Sequence, residues 1–169
     1  MASAEPEVWL RGAVPGIPPM LQPVAHSLMQ SLEEVGAALP AADVDALWRH
    51  PGNAASAGYH VLHAMGSLDR LFTYARGAQL DDAQRQALER EKAATVRIEP
   101  AALMAAFEES VGRALGQLRK TDPSELLVAR RVGRAGLPST VIGLLYHGAE
   151  HTLRHAGQFI TTLKIVQSR

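Results

Sequence analysis

Near the end of the sequence, residues 139–166 read STVIGLLYHGAEHTLRHAGQFITTLKIV. Apolar side chains recur there every three or four residues, which is the spacing of one buried face of an α-helix. Ser139 is a preferred residue type for the position before a first helical turn. The stretch therefore predicts a long amphipathic helix from Ser139 to about Val166. Its predicted buried stripe contains Val141, Leu144, Leu145, Leu153, Ile160, Leu163 and Ile165.

The same spacing recurs in three earlier segments, which are therefore also predicted to be helices. They run from about Met20 to Leu39, from Ala57 to about Ala75, and from Pro100 to about Leu118. A shorter, polar helix is predicted from Asp81 or Asp82 to about Lys92. Four long amphipathic helices indicate an all-α four-helix bundle, with a long crossover connection and a short extra helix between the second and third.

Length and composition limit the classes of protein that remain. A chain of 169 residues fits one domain, which we expect to span residues 1–169 with an irregular lead-in over residues 1–19. The 17 basic and 17 acidic side chains balance, which argues against a nucleic-acid partner. The sequence offers neither a signal peptide nor an apolar run long enough to span a membrane, so we expect a cytoplasmic protein without membrane contact.

Five of the seven histidines fall into two clusters on predicted helices. His147, His151 and His155 follow one another at four-residue intervals, so their side chains share one helix face. Two neighbours in such a row can bind one metal ion, but the outer pair lies about 12 Å apart along the axis. A further ligand must come from another helix, where His63 and His60 are alternatives.

The chemistry of such a site is limited by the ligand types available. The sequence has no cysteine, which excludes a thiolate zinc site and a cysteine nucleophile. Neutral imidazoles suit zinc, nickel, iron or cobalt. Three protein ligands would leave a position open for water or substrate, as in catalytic rather than structural zinc sites.

Two segments together resemble the DinB-like superfamily of damage-inducible proteins. Residues 151–158, HTLRHAGQ, are similar to that family's HxxxH(R/x)GQ motif, with Ala156 at a position where arginine is common. Residues 56–63, SAGYHVLH, resemble its second-helix pattern, and residues 66–77, GSLDRLFTYARG, are similar to one of its subgroups. The likeness extends from about Met20 to Val166.

The resemblance implies a four-helix bundle, often dimeric, with a metal site formed by His63, His151 and His155. His147 would then be an alternative ligand or lie behind the ligands. Relatives include bacillithiol and mycothiol S-transferases and mycothiol-dependent isomerases. We therefore expect a metal-dependent S-transferase or thiol-dependent isomerase that binds zinc or nickel, a small-molecule thiol and an electrophilic substrate, and forms a homodimer. A non-catalytic metal-binding or stress-response bundle and a metal-dependent hydrolase are the alternatives, and no catalytic residue is assigned.

Two further expectations concern side chains around this site. Metal-bound histidines usually donate their second N–H to an acceptor, and Asp69 is one candidate partner for His63. Glycines at positions 58, 66, 143, 148 and 157 lie inside predicted helices, where each costs up to about 1 kcal/mol relative to alanine. Close helix approach, or room beside a metal ion, would offset that cost.

Overall fold

The computed structural model describes residues 5–92 and 96–168, and it is mostly helical. The described residues form six α-helices: α1 Gln22–Ala38, α2 Val44–Trp48, α3 Ala57–Ala75, α4 Asp82–Lys92, α5 Pro100–Lys120 and α6 Val141–Gln167. Two short strands, β1 Ala129–Val132 and β2 Leu137–Thr140, lie between α5 and α6. The predicted all-α class and the four long helices are therefore confirmed.

The four long helices pack around one apolar core. Helices α1 and α3 each pack against both α5 and α6, so the order around the bundle is α1, α6, α3, α5. The largest fully buried side chains come from all four helices and the segments beside them: Phe107, Phe159, Leu21, Leu28, Leu39, Leu47, Leu68, Leu103, Leu118 and Leu145. Within the predicted stripe of α6, Val141, Leu144, Leu145 and Leu163 are buried, Leu153 and Ile160 are half-buried, and Ile165 is exposed; Phe159 and Val166, which were not in the predicted stripe, are buried.

The connection between α3 and α5 is a crossover, as predicted. Within it, α4 runs antiparallel to α3, because Gln84 bonds to Asp69 and Thr73 whereas the later Glu91 bonds to His63. The chain thus returns to the beginning of α3, where the Ile98 carbonyl accepts a 2.9 Å hydrogen bond from Trp48. Helix α5 can then run parallel to α3.

The segment before α6 contains two short strands. Strands β1 and β2 form an antiparallel hairpin, with Ala129 opposite Thr140 and Val132 opposite Leu137. Gly133 and Gly136, at the turn between the strands, adopt φ values of 66° and 62°. The N-cap of α6 is Thr140 rather than Ser139, because the Thr140 hydroxyl accepts a 3.1 Å hydrogen bond from the Gly143 N–H.

The predicted irregular lead-in contains short 3-10 turns at Val8–Leu10 and Pro19–Leu21, and its residues 1–4 lie outside the described residues. Val8 is buried, and its N–H donates to the Gln30 side chain on α1. Over residues 5–92 and 96–168, no helix combines the length and apolar character required to cross a bilayer.

Candidate metal centre

Helices α3 and α6 pack antiparallel and approach closely, which brings their histidines together. A Cβ atom added to Gly148 on α6 would lie 2.9 Å from the Phe72 ring and 3.3 Å from Leu68, both on α3. Real Cβ atoms essentially never approach so closely, so only glycine permits this helix spacing. The expected reason for a glycine at position 148 is thus confirmed.

Three imidazoles meet between these two helices: His63 from α3, and His151 and His155 from α6. Each offers one nitrogen, and these nitrogens all lie within 4.8 Å of one another. The Nε2 atoms of His63 and His151 are 3.0 Å apart. The ring centroids are separated by 5.1 Å for His63 and His151, 4.6 Å for His63 and His155, and 4.5 Å for His151 and His155.

This donor set fits a divalent transition-metal ion. Two nitrogens bound to one zinc ion at about 2.0–2.1 Å can be at most about 4.2 Å apart, and the 3.0 Å Nε2 separation satisfies that limit. Imidazole nitrogen is a preferred ligand of zinc, nickel, iron and cobalt, whereas magnesium and calcium prefer oxygen. The three histidines can therefore hold a metal ion.

The electrostatic environment keeps His151 and His155 neutral. Burial, reinforced by the neighbouring His63, lowers the pKa of His155 to about 3 and that of His151 to about 4. Burial and His63 also lower the pKa of His60. A histidine must be deprotonated to bind a metal ion, so His151 and His155 are in the binding form at neutral pH.

Each of the three rings also has an Nδ1 atom with a partner outside the group of three. The Nδ1 of His63 contacts the Glu91 carboxylate, and the Nδ1 of His155 lies 3.1 Å from the Nδ1 of His60. The Nδ1 of His151 lies 2.8 Å from the Arg154 guanidinium. A metal ion on Nε2 of His151 would leave the proton on Nδ1, so Arg154 would keep only Glu150, 3.2 Å away, as its acceptor.

Glu91 is the residue of this site that the sequence reasoning missed. Its carboxylate is buried and bonds to both His63 and, at 3.1 Å, the Arg70 guanidinium. Burial raises the pKa of Glu91, but the hydrogen bond from His63 and the charge of Arg70 outweigh it, so the pKa is lowered overall. Asp69, the partner considered from the sequence, instead accepts a 2.7 Å hydrogen bond from Gln84.

One sequence signal for Glu91 does exist. Gln84, Leu88 and Glu91 occur at the i, i+4 and i+7 positions of α4 and form its least exposed face. Two of these three side chains are polar, so a search for an apolar stripe does not detect the face.

The remaining histidines lie outside the three-imidazole group. His147 is half exposed, its ring centroid is 5.5 Å from that of His151, and its Nδ1 lies 2.8 Å from Glu150. His26 and His50 each contact a backbone carbonyl, of Gly12 and Ala54 respectively.

The exposure and position of His147 lead to a prediction. His147→Ala is expected to retain full metal uptake, whereas His155→Ala is expected to lose it, because only His155 belongs to the group of mutually close nitrogens. Metal content of protein purified without a histidine tag measures the difference. Loss of metal from the His147 variant, with retention by the His155 variant, would reassign the second α6 ligand to His147.

Comparison with known proteins agrees with this arrangement. No curated protein gives a significant match to the chain. A family model described as the DinB superfamily matches residues 28–159, which extend from α1 into α6 and include all three grouped histidines. That match covers well over half of the sequence, and the chain belongs to the DinB superfamily.

Proposed function

We propose that this protein is a metal-dependent enzyme that activates a low-molecular-weight thiol for S-transfer or thiol-dependent isomerisation. The observation that supports it most directly is the meeting of His63, His151 and His155 in a chain that has no cysteine. The reacting sulfur would therefore come from a cosubstrate.

The proposed ligands are His63, His151 and His155, and zinc or nickel is the expected ion. A divalent ion bound there would supply Lewis acidity that deprotonates a coordinated thiol at neutral pH. Three neutral imidazoles add no negative charge to the site, so they leave the full positive charge of the ion available to the sulfur.

Space for a small substrate exists next to two side chains that contact His63, and the three candidate ligands do not line it. A cavity of about 300 Å³ is lined by Trp48, Leu62, Tyr59, Glu91 and other side chains. Tyr59 stacks on the His63 ring with a centroid distance of 5.6 Å, and Glu91 bonds to the same ring. The apolar surfaces of Trp48 and Leu62 would exclude water from the organic part of an electrophile.

Metal-dependent hydrolysis has less support, since it needs a free general base near the ion. The carboxylate oxygens of Glu91 are bonded to His63 and Arg70, and Glu150 bonds to both His147 and Arg154. Neither carboxylate is available to accept a proton from water without losing these partners.

Transfer activity provides the test. We expect zinc- or nickel-loaded protein to accelerate conjugation of bacillithiol, mycothiol or glutathione, each assayed separately, to monochlorobimane. A thiol of pKa about 8.5 is only a few per cent ionised at pH 7, so complete ionisation would raise the thiolate concentration up to about 30-fold. Fluorescence of the conjugate measures the rate.

Two controls make this assay decisive. Removal of the ion with a chelator, and the variant His151→Ala, should each return the rate to that of the free thiol. Metal-loaded protein that accelerates none of the three reactions would contradict the transferase proposal and favour a non-catalytic metal-binding bundle.

A further inference from the structure

Glu91 is a buried charged group that the proposed thiol chemistry does not use. Glu91 is only 5 % exposed, although most other side chains of helix α4 are polar and face solvent. Its two carboxylate oxygens are divided between two partners on α3: one contacts His63 Nδ1 and the other lies 3.1 Å from Arg70 Nη1. A carboxylate in such a position is costly unless both oxygens are satisfied, as they are here.

We propose that Glu91 is a positioning residue that holds His63 with its Nε2 lone pair toward His151, and that it thereby couples docking of α4 to metal binding. This inference rests on the proposed metal site. It assigns a function to the crossover helix, which contributes none of the three candidate ligands.

The direction of the hydrogen bond between His63 and Glu91 determines the tautomer of His63. An ionised carboxylate only accepts hydrogen bonds, so Nδ1 of His63 must donate to Glu91. A neutral imidazole has one proton, which leaves the lone pair on Nε2. That Nε2 lies 3.0 Å from Nε2 of His151, among the candidate ligands. The alternative tautomer would place a hydrogen where the ion must bind.

The surface of α3 is shaped to receive this carboxylate. A Cβ atom at Gly66 would lie 2.6 Å from Glu91 Oε2 and 2.8 Å from Arg70 Nη1. Glycine at this position therefore provides the room that the ion pair occupies beside the helix. Gly66 thus makes space near the metal site, as expected for a helical glycine, but the space is occupied by the Glu91 carboxylate rather than by the ion.

Docking of α4 on α3 includes polar contacts besides that of Glu91. Gln84 donates to Asp69 at 2.7 Å and to Thr73 at 2.8 Å, and Leu88, which lies between Gln84 and Glu91 along α4, is half-buried. If docked α4 favours the metal-binding tautomer of His63, linkage requires that a bound ion stabilises docked α4 by the same free energy. Metal occupancy would then control how firmly the crossover helix is held.

The test compares Glu91→Ala with the matched control Gln84→Ala in the full chain. Each variant removes two α4–α3 hydrogen bonds, but only the first removes the partner of His63. We expect Glu91→Ala to weaken Zn²⁺ and Co²⁺ binding about 10- to 100-fold, the usual effect of removing such a partner. Glu91→Gln keeps an acceptor oxygen, so its metal affinity should lie between those of Glu91→Ala and the wild type. Gln84→Ala should bind metal with the wild-type affinity.

Two spectroscopic measurements separate positioning from general stability. Long-range ¹H–¹⁵N NMR of the zinc-loaded and metal-free protein reports the His63 tautomer, which should be Nδ1–H in the wild type and mixed in metal-free Glu91→Ala. Hydrogen exchange should slow in residues 82–92 when zinc is added to the wild type and not when it is added to Glu91→Ala.

Each outcome decides between the proposals. Wild-type affinity and an unchanged tautomer in Glu91→Ala would overturn the inference and leave the metal site intact, whereas failure of the wild type to bind either ion would overturn both. Equal losses in the Glu91 and Gln84 variants would assign the effect to docking alone, which also contradicts positioning. If Glu91→Ala does not fold, Gly66→Ala, which crowds the carboxylate without removing it, must weaken zinc binding for the inference to stand.

Discussion

Alanine at position 63 or 151 is expected to reduce the metal content of the purified protein from about one ion per chain to none. Each change removes one of three candidate ligands, and two histidines cannot hold an ion in the open three-ligand arrangement of catalytic sites. Elemental analysis of protein prepared without a histidine tag, combined with circular dichroism, measures metal content and helicity together.

The two variants should differ in stability even though both lose the metal. His63→Ala removes a partner of buried Glu91, and an unsatisfied buried acceptor costs about 1–3 kcal/mol. His151→Ala loses the contacts of its ring with His63 and with the exposed Arg154, but it leaves no buried charged group without a partner. The His151 variant is therefore the cleaner test of ligation, because its fold should be almost undisturbed.

His26→Ala and His50→Ala serve as matched controls. Each changes a histidine whose ring contacts a backbone carbonyl outside the three-imidazole group, so each should retain the full metal content. Unchanged metal in His63→Ala or in His151→Ala would defeat the ligand assignment, and loss of metal from the controls would show that uptake is not specific to the site.

Local signals in the sequence account for the success of the helix prediction. For α3, the hydroxyl of Ser56 accepts from the Tyr59 N–H, and Gly77 takes a φ of 77° just after the helix ends. Capping and positive-φ glycine depend on a few adjacent residues, so the sequence alone places both ends. The bounds Ala57–Ala75 follow directly.

The hairpin before α6 lacked such signals. Its strands are only four residues long, and β2 reads Leu-Pro-Ser-Thr, with a proline that cannot donate a hydrogen bond to a ladder. Neither strand alternates apolar and polar residues over a length that identifies a strand. Gly133 and Gly136 permit the turn between the strands, but a turn alone does not show that the flanking residues pair as strands.

In the candidate site too, features set by local geometry could be predicted, whereas contacts that depend on tertiary packing could not. His151 and His155 could be predicted to share a face because helical geometry fixes the placement of residues four apart. The proximity of His63 followed from family resemblance, since periodicity alone left His60 open. The contact of Glu91 with His63 could not be predicted, because it spans 28 positions and depends on how the polar helix α4 docks.

Gly148→Leu is expected to lower the free energy of unfolding by about 3 kcal/mol, at the upper end of the usual cost of overpacking a core. Even a Cβ atom there would lie 2.9 Å from the buried Phe72 ring, so a leucine side chain can be accommodated only if α3 and α6 separate. For a chain of this size, that loss corresponds to roughly 6–12 °C in Tm, which calorimetry measures. Because the ligands His63 and His151 lie on the two separating helices, metal affinity should fall with stability.

Gly157→Leu provides a matched comparison on the same helix. A Cβ atom at Gly157 meets nothing within 4 Å and the residue is exposed, so the replacement should gain up to about 1 kcal/mol of helix propensity and leave metal affinity unchanged. If the free energy of unfolding falls in Gly148→Leu and rises in Gly157→Leu, Gly148 is required for helix spacing rather than for backbone flexibility. Imidazoles on separate helices bind one ion only while the helices hold them within reach of it. A Gly148→Leu variant that loses stability but keeps full metal affinity would therefore contradict the dependence of the site on helix spacing.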